Sequence, residues 1–292
     1  MRAPGRQRPT SPTDPTDPTS SPSPTDEPGA IVTTPATAPA PDDVRTASRP
    51  AYRLSGVTKT YRQGNRTVTA LAGVDLEIPQ GQLVAVQGPT GGGKSTLLQV
   101  LGALDRPTTG SVHLGDRDLA TLGDRGLTDV RAADIGFVFQ GFNLIPTLTA
   151  LENVETAFAG SPAGRSRSTG RSRSSGRSRS TGRTRSVDRD RATAALREVG
   201  LEDRLDHLPA ELSGGQQQRV AIARALVKDP SVLLADEPTG ALDEETRDEI
   251  MALIERQWRD RVLTVVIVTH DSSVARRAER RLLIKQGQVR DV

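Results

Sequence analysis

With 39 basic and 36 acidic side chains in 292 residues, the chain carries a formal charge of +3 and contains no cysteine. That excludes disulfide frameworks and thiolate metal or redox sites, and it fits a cytoplasmic protein. No stretch reaches the roughly eighteen successive apolar residues of a membrane span, and nothing near Met1 has the apolar core of a signal peptide.

The positive balance is local. Eight arginines and no acid lie between Ser161 and Val187, and without them the formal charge falls from +3 to −5. A basic balance held in one low-complexity segment is not the footprint of a nucleic-acid-binding face, so no specific nucleic-acid partner is expected.

Residues 1–50 are dense in Pro, Thr, Ser and Asp, with too few large apolar side chains to offset the entropy of ordering. They predict a disordered arm, followed by a folded domain over 51–292. Tyr52–Tyr61 and Val74–Ile78 read as strands of a small antiparallel sheet, with Gln63-Gly64-Asn65 as a turn between them. The apolar run Leu83–Val86 predicts a buried strand, and Leu97–Leu101 continues a helix. Ser111–Leu114 and Ile135–Gln140 follow as short strands, the second ending in an amide. Thr149–Phe158 has helical spacing, with Thr149 as N-cap and Glu152 completing a capping box.

From Gly164 to Ser186 the unit Gly-Arg-Ser-Arg-Ser-Thr recurs with a period of six. That unit is too short to stack and has no apolar face, so 164–186 predicts a solvated loop. Asp190–Val199 reads as a helix ending at Gly200, and Gly214–Lys228 as the next. Ser231–Asp236 predicts a buried strand, Glu244–Trp258 an amphipathic helix, and Val262–Thr269 a buried parallel strand. Strands alternating with helices argue for an α/β fold with a parallel sheet.

Between Leu83–Val86 and the following helix stands Gly88-Pro89-Thr90-Gly91-Gly92-Gly93-Lys94-Ser95-Thr96, a strand–loop–helix context for G-x-x-x-x-G-K-[ST]. Glycines let backbone N–H groups turn around a phosphate chain, and the helix N-terminus adds partial positive charge. Lys94 would reach the outer phosphates and the Ser95 hydroxyl would ligate Mg²⁺. Asp236 and Glu237 close a strand too apolar to hold charge elsewhere. A strand of this kind is expected beside the glycine loop's strand, with Asp236 holding Mg²⁺ and Glu237 acting as general base for water. His270, thirty-four positions beyond Asp236 at the end of another buried run, reads as a γ-phosphate sensor.

Leu212-Ser213-Gly214-Gly215-Gln216 forms a second anion site at a helix start. One nucleotide has no use for two cradles unless the second serves a nucleotide bound to a partner. Here the chain resembles the ATP-binding-cassette ATPases, whose signature is this pentapeptide, over roughly Tyr52–Val292. The resemblance implies a P-loop NTPase core with a parallel sheet, a small antiparallel β subdomain, and an inserted helical subdomain over about 141–228 that contains the 164–186 insert. It implies that Gln140 contacts Mg²⁺ and the attacking water, and that Ser213, Gly214, Gly215 and Gln216 face the opposite subunit's ATP. Gly240–Asp243 would form the inter-subunit contact, and Tyr61 would stack on adenine, with Tyr52 as a weaker competitor for that place. ATP and Mg²⁺ are the implied cofactors, and a homodimer that closes on two ATP molecules is the implied working state.

Gln140–Val154 and Asp236–Asp243 together look most like the subfamily of macrolide-export (MacB-like) and lipoprotein-release (LolD-like) ATPases. That implies an export or mechanical-transmission role, coupled to a separate permease with few transmembrane helices. The location implied is the inner face of the cell membrane, peripheral through the permease. The alternative is a non-transport cassette ATPase in cell division or nucleic-acid maintenance, but the interval Ser95–Ser213 holds neither heptads nor cysteines.

Overall fold

The computed structural model describes residues 50–64, 66–160 and 180–292. The expected arm over 1–50, except Pro50, which opens the first strand, and the insert as far as 179 lie outside the described residues. Two sheets organise the rest. A four-stranded antiparallel sheet has the order β2-β1-β4-β5, built from β1 (Pro50–Gln63), β2 (Arg66–Pro79), β4 (Thr109–Leu114) and β5 (Arg117–Asp118). Each long strand runs for 14 residues, well beyond the apolar segments that announce them. Register shifts along the pair fall around Gly56 and Gly73.

The larger sheet has the order β10-β9-β3-β8-β7-β6. Its members are β3 (Leu83–Gln87), β6 (Ile135–Phe139), β7 (Val232–Asp236), β8 (Thr264–Val268), β9 (Arg280–Lys285) and β10 (Gln288–Asp291). All neighbours are parallel except the β9–β10 hairpin. Alternate residues serve opposite cores. Leu83, Val138, Leu233, Val265 and Ile267 join one apolar cluster, while Val84, Val86, Leu234, Val266 and Val268 join the other. Burial on both faces is why these strands read as unbroken apolar runs rather than alternating ones.

Helices α1 (Lys94–Leu101) and α2 (Asp124–Ala133) contribute to the cluster shared with the antiparallel sheet. Helices α3 (Ala150–Glu155), α4 (Ser180–Glu198), α5 (Gly214–Leu226) and α6 (Glu244–Arg261) contribute to the other. Helix α7 (Ser272–Ala275) follows β8. The capping box at Thr149 forms as expected, with Glu152 N–H donating to Thr149 Oγ1 at 3.2 Å and Thr149 N–H to Glu152 Oε2 at 2.9 Å.

Several expectations are corrected. Helix α4 begins at Ser180, inside the stretch read as a solvated loop and ten residues before the expected start at Asp190. The helix after Thr149 ends at Glu155 and tightens into a 3-10 turn over Thr156–Gly160. Val262 is not strand; it caps α6 in the left-handed region at φ 52° and is 78 % exposed. Finally, β7 does not lie beside β3, because β8 is inserted between them.

Candidate active site

The glycine loop joins β3 to α1, and close backbone packing beneath it explains two of its glycines. A Cβ on Gly88 would stand 2.1 Å from the Ile284 carbonyl oxygen of β9, and one on Gly93 would stand 2.4 Å from that of Ala70 in β2. The loop therefore rests directly on backbone from both sheets. Gly93 is the N-cap of α1 and supplies no side-chain cap. The first-turn amides thus keep their hydrogen-bonding capacity for an anion, and no acid stands in that turn to oppose one. Lys94 Nζ arches back to donate to the carbonyl oxygens of Gly88 at 2.8 Å and Pro89 at 3.1 Å.

Asp236 ends β7, separated in the sheet from the loop's strand β3 by β8 alone. Burial raises the Asp236 pKa, the Glu237 charge raises it further, and Lys94 draws it down. Such a carboxylate is short of positive charge, which is the environment a divalent cation would relieve. Together with the exposed Ser95 hydroxyl and the Gln140 amide, the donor set is all oxygen and suits Mg²⁺.

Glu237 takes a positive φ of 46°, turning its side chain off the strand. Its Oε2 lies 2.7 Å from His270 Nδ1 at the end of β8, and His270 is 66 % exposed. Gln140, directly after β6, converges on the same place. A Cβ on Gly240 would meet Gln140 Nε2 at 2.9 Å and Glu237 Oε2 at 3.1 Å. Gln140, Glu237 and His270, from three strand ends, therefore surround one point beside Gly240.

Ser213 N-caps α5 in a full capping box: Gln216 N–H donates to Ser213 Oγ at 3.3 Å, and Ser213 N–H to Gln216 Oε1 at 2.9 Å. Gly215 must be glycine because a Cβ there would stand 2.5 Å from Thr246 Cγ2 of α6. Among the described residues, no hydrogen bond joins this turn to the loop at 88–96. Asp243 N-caps α6, accepting from Thr246 N–H at 2.9 Å and from Thr246 Oγ1 at 2.8 Å. Those bonds hold its carboxyl below the usual range.

The two tyrosines separate cleanly. Tyr52 is fully buried and donates to the Leu101 carbonyl at 2.8 Å, so it is a core residue and no platform for a base. Tyr61 is partly exposed and donates to Asp105 Oδ2 at 2.9 Å.

Three residues not anticipated from the sequence hold the segments that follow Gln140 and Glu237. Arg224 of α5 donates to the carbonyls of Phe142 at 2.9 Å and Asn143 at 2.6 Å, both residues having positive φ. Asn153 of α3 is fully buried and satisfies Ile145, Leu148 and Thr149 of the preceding loop. Gln218, also fully buried, donates to the Pro238 carbonyl, one residue after Glu237, at 2.5 Å. The available signal was a polar side chain in an otherwise apolar helical stretch, as with Arg224 within Val220–Leu226.

A family profile described as ABC transporter matches residues 71–240. The chain belongs to the ABC transporter family. It is 47 % identical over 242 residues to the ABC transporter ATP-binding protein MJ0796 of Methanocaldococcus jannaschii, covering 81 % of this chain and 94 % of that one. Against the macrolide export ATP-binding/permease protein MacB of Brucella melitensis it is 43 % identical over 245 residues, or 83 % of this chain but 34 % of that one. The chain thus spans about a third of the MacB relative's length. A solved dimeric structure of MJ0796 in a post-hydrolysis state, bound to ADP and Pi, superposes with a TM-score of 0.70 at 44 % identity, covering 82 % of this chain and 97 % of that one. As an ABC ATPase, this protein is an ATP-binding, ATP-hydrolysing transporter subunit with a P-loop NTPase fold.

Proposed function

We propose that two copies of this chain complete each other's ATPase centres, each lending Ser213–Gln216 to the nucleotide held on the other's Lys94. The observation that carries this reading is the pair of anion-suited helix starts, α1 behind Gly93 and α5 behind Ser213, which no hydrogen bond joins among the described residues. Dimeric structures of the MJ0796 relative support it. In this reading the amides of Gly88–Thr96 and the Lys94 ammonium bind the phosphate chain, and Tyr61 stacks on adenine. Ser95, Gln140 and Asp236 would hold Mg²⁺, which supplies charge neutralisation on the phosphate oxygens when bound.

Glu237 accepts the proton of the attacking water. His270, hydrogen-bonding distance away, orients that carboxylate and faces the outer phosphate. The partner's Ser213 turn adds N–H donors where negative charge builds up, so hydrolysis and dimer closure depend on one another. Asp243, held rigid by its capping bonds, lies at the start of the helix that packs beneath Gly215 and would meet the partner.

The role in transport is export or mechanical transmission through a separate membrane permease, as suggested by the MacB relatives. No helix among the described residues is long and apolar enough to cross a membrane, so the permease would supply the span and hold the ATPase peripherally on the inner face. The helical segment that begins beside Gln140 would carry nucleotide state to it. The test is the dependence of ATPase rate on protein concentration. Activity per chain should rise with concentration before levelling off; a rate per chain independent of dilution would overturn the dimer.

A further inference from the structure

Lys59 and Tyr61 stand two apart on β1 and so project from the same face of the strand. Both engage Asp105, in the loop after α1. Lys59 Nζ donates to Asp105 Oδ1 at 2.5 Å and to the Arg106 carbonyl at 2.7 Å, while the Tyr61 hydroxyl donates to Asp105 Oδ2 at 2.9 Å. One carboxylate therefore holds an ammonium and a phenol at once, with only 12 % of the Lys59 side chain and 31 % of Asp105 exposed. The same loop is sewn to β1 by Thr60 N–H donating to Thr108 Oγ1 at 3.0 Å and Thr108 N–H to the Thr58 carbonyl at 2.8 Å.

The arrangement fixes the ring in two ways. Lys59 Nζ lies 5.0 Å from the Tyr61 ring centroid and occupies one face, which leaves the opposite face for a base. The hydroxyl bond to Asp105 Oδ2 also ties the ring to the loop that follows α1. Burial would raise the Asp105 pKa, but Lys59, Tyr61 and the Arg106 amide outweigh it and keep the carboxyl below its usual range. The acceptor is thus a carboxylate at neutral pH, which makes its bond from the phenol charge-assisted.

We propose that Asp105, with Lys59, is a positioning element for nucleotide affinity: it sets the orientation and the open face of Tyr61 against the adenine of the bound nucleotide. The proposal rests on the reading of Tyr61 as the adenine platform, and the experiment separates the two. Steady-state ATPase kinetics are measured on the full chain and on Tyr61→Ala, Tyr61→Phe, Asp105→Asn and the Tyr61→Phe/Asp105→Asn double variant, with inorganic tripolyphosphate as a competitive inhibitor.

Tyr61→Ala should raise the KM for ATP by about tenfold, the effect of losing one base–aromatic stack. Asp105→Asn and Tyr61→Phe should each raise it by about three- to fivefold, as for loss of one hydrogen bond, with kcat within about twofold. The double variant should match the larger single effect, because both changes remove the same contact. Inhibition by tripolyphosphate should be unchanged throughout, since the phosphate loop is untouched. Tyr61→Phe keeps the Lys59–Asp105 pair, so the tether is tested even where Asp105→Asn folds poorly. An unchanged KM in Tyr61→Ala overturns the platform reading and the tether with it. A raised KM in Tyr61→Ala with wild-type KM in Tyr61→Phe, or additive single effects, overturns the tether alone.

Discussion

Replacing Arg224 by Met should damage catalysis far more than stability. The guanidinium donates to the Asn143 and Phe142 carbonyls at 2.6 and 2.9 Å. Bonds from a charged donor contribute about 1.5–3 kcal/mol each, so removing the pair forfeits about 3–6 kcal/mol. Against this stands the strain they hold in place. Phe142 and Asn143 have φ of 59° and 50°, and a non-glycine residue in that region costs about 1–3 kcal/mol, or about 2–6 kcal/mol for two. Burial also lowers the Arg224 pKa, so its charge is held at a desolvation cost that Met does not incur.

The two sums nearly cancel, and the loop relaxes rather than the fold collapsing. At about 2–4 °C per kcal/mol for a domain of this size, the melting temperature should fall by no more than about 5 °C. Gln140 lies two residues before Phe142, and its displacement should cost about 10- to 100-fold in kcat with little change in KM. Thermal melting and steady-state ATPase assays on the same preparations read both quantities. A kcat within about twofold of wild type would rule out this role for Arg224, as would a stability loss large enough to account for the activity loss.

Lys94→Ala should fail at nucleotide binding itself, so equilibrium binding of a fluorescent ATP analogue should be weakened at least about 100-fold while the melting curve without nucleotide is retained. Gly93→Ala should also lose ATP binding but by displacement of the loop, because its Cβ would sit 2.4 Å from the Ala70 carbonyl; melting without nucleotide should fall here, unlike in Lys94→Ala. Asp236→Asn should abolish turnover yet raise the melting temperature at neutral pH. Because burial and Glu237 raise the Asp236 pKa above its unfolded value, ionisation penalises the native state above the folded pKa and not below the unfolded one. The gain from Asp236→Asn should therefore shrink as pH falls through that window, and a gain that grew on acidification would contradict the assignment.

The glycine loop, the acidic strand end and the Ser213 turn stand out in the sequence because each carries particular residues at fixed spacing, and the capping box at Ser213 follows from its own residues. What escaped depends on tertiary context. Strands β9 and β10 carry three arginines (Arg280, Arg281, Arg290), and the apolar residues of β9 form the single run Leu282–Ile284, too short to show a period, yet β9 supplies the Ile284 carbonyl under the loop. Helix α2 is short and polar, with only Leu127, Val130 and Ala132 buried. The insertion of β8 between β3 and β7 is a matter of strand order, which residue spacing does not encode. Val262 extended an apolar run in the sequence but serves as a left-handed helix cap, a local choice made by the end of α6. Arg224 and Gln218 act through carbonyls, and a carbonyl acceptor has no residue type to betray it.

If ATP joins two copies of the chain through Ser213 and Lys94, the mass of Glu237→Gln in saturating ATP reveals it, read by size-exclusion chromatography with light scattering. Removing the base while keeping the geometry should trap a species of twice the 31.1 kDa chain mass, which reverts to a single chain when Ser213→Arg is added. A single chain at every ATP concentration for Glu237→Gln, or a dimer indifferent to Ser213→Arg, would contradict the account.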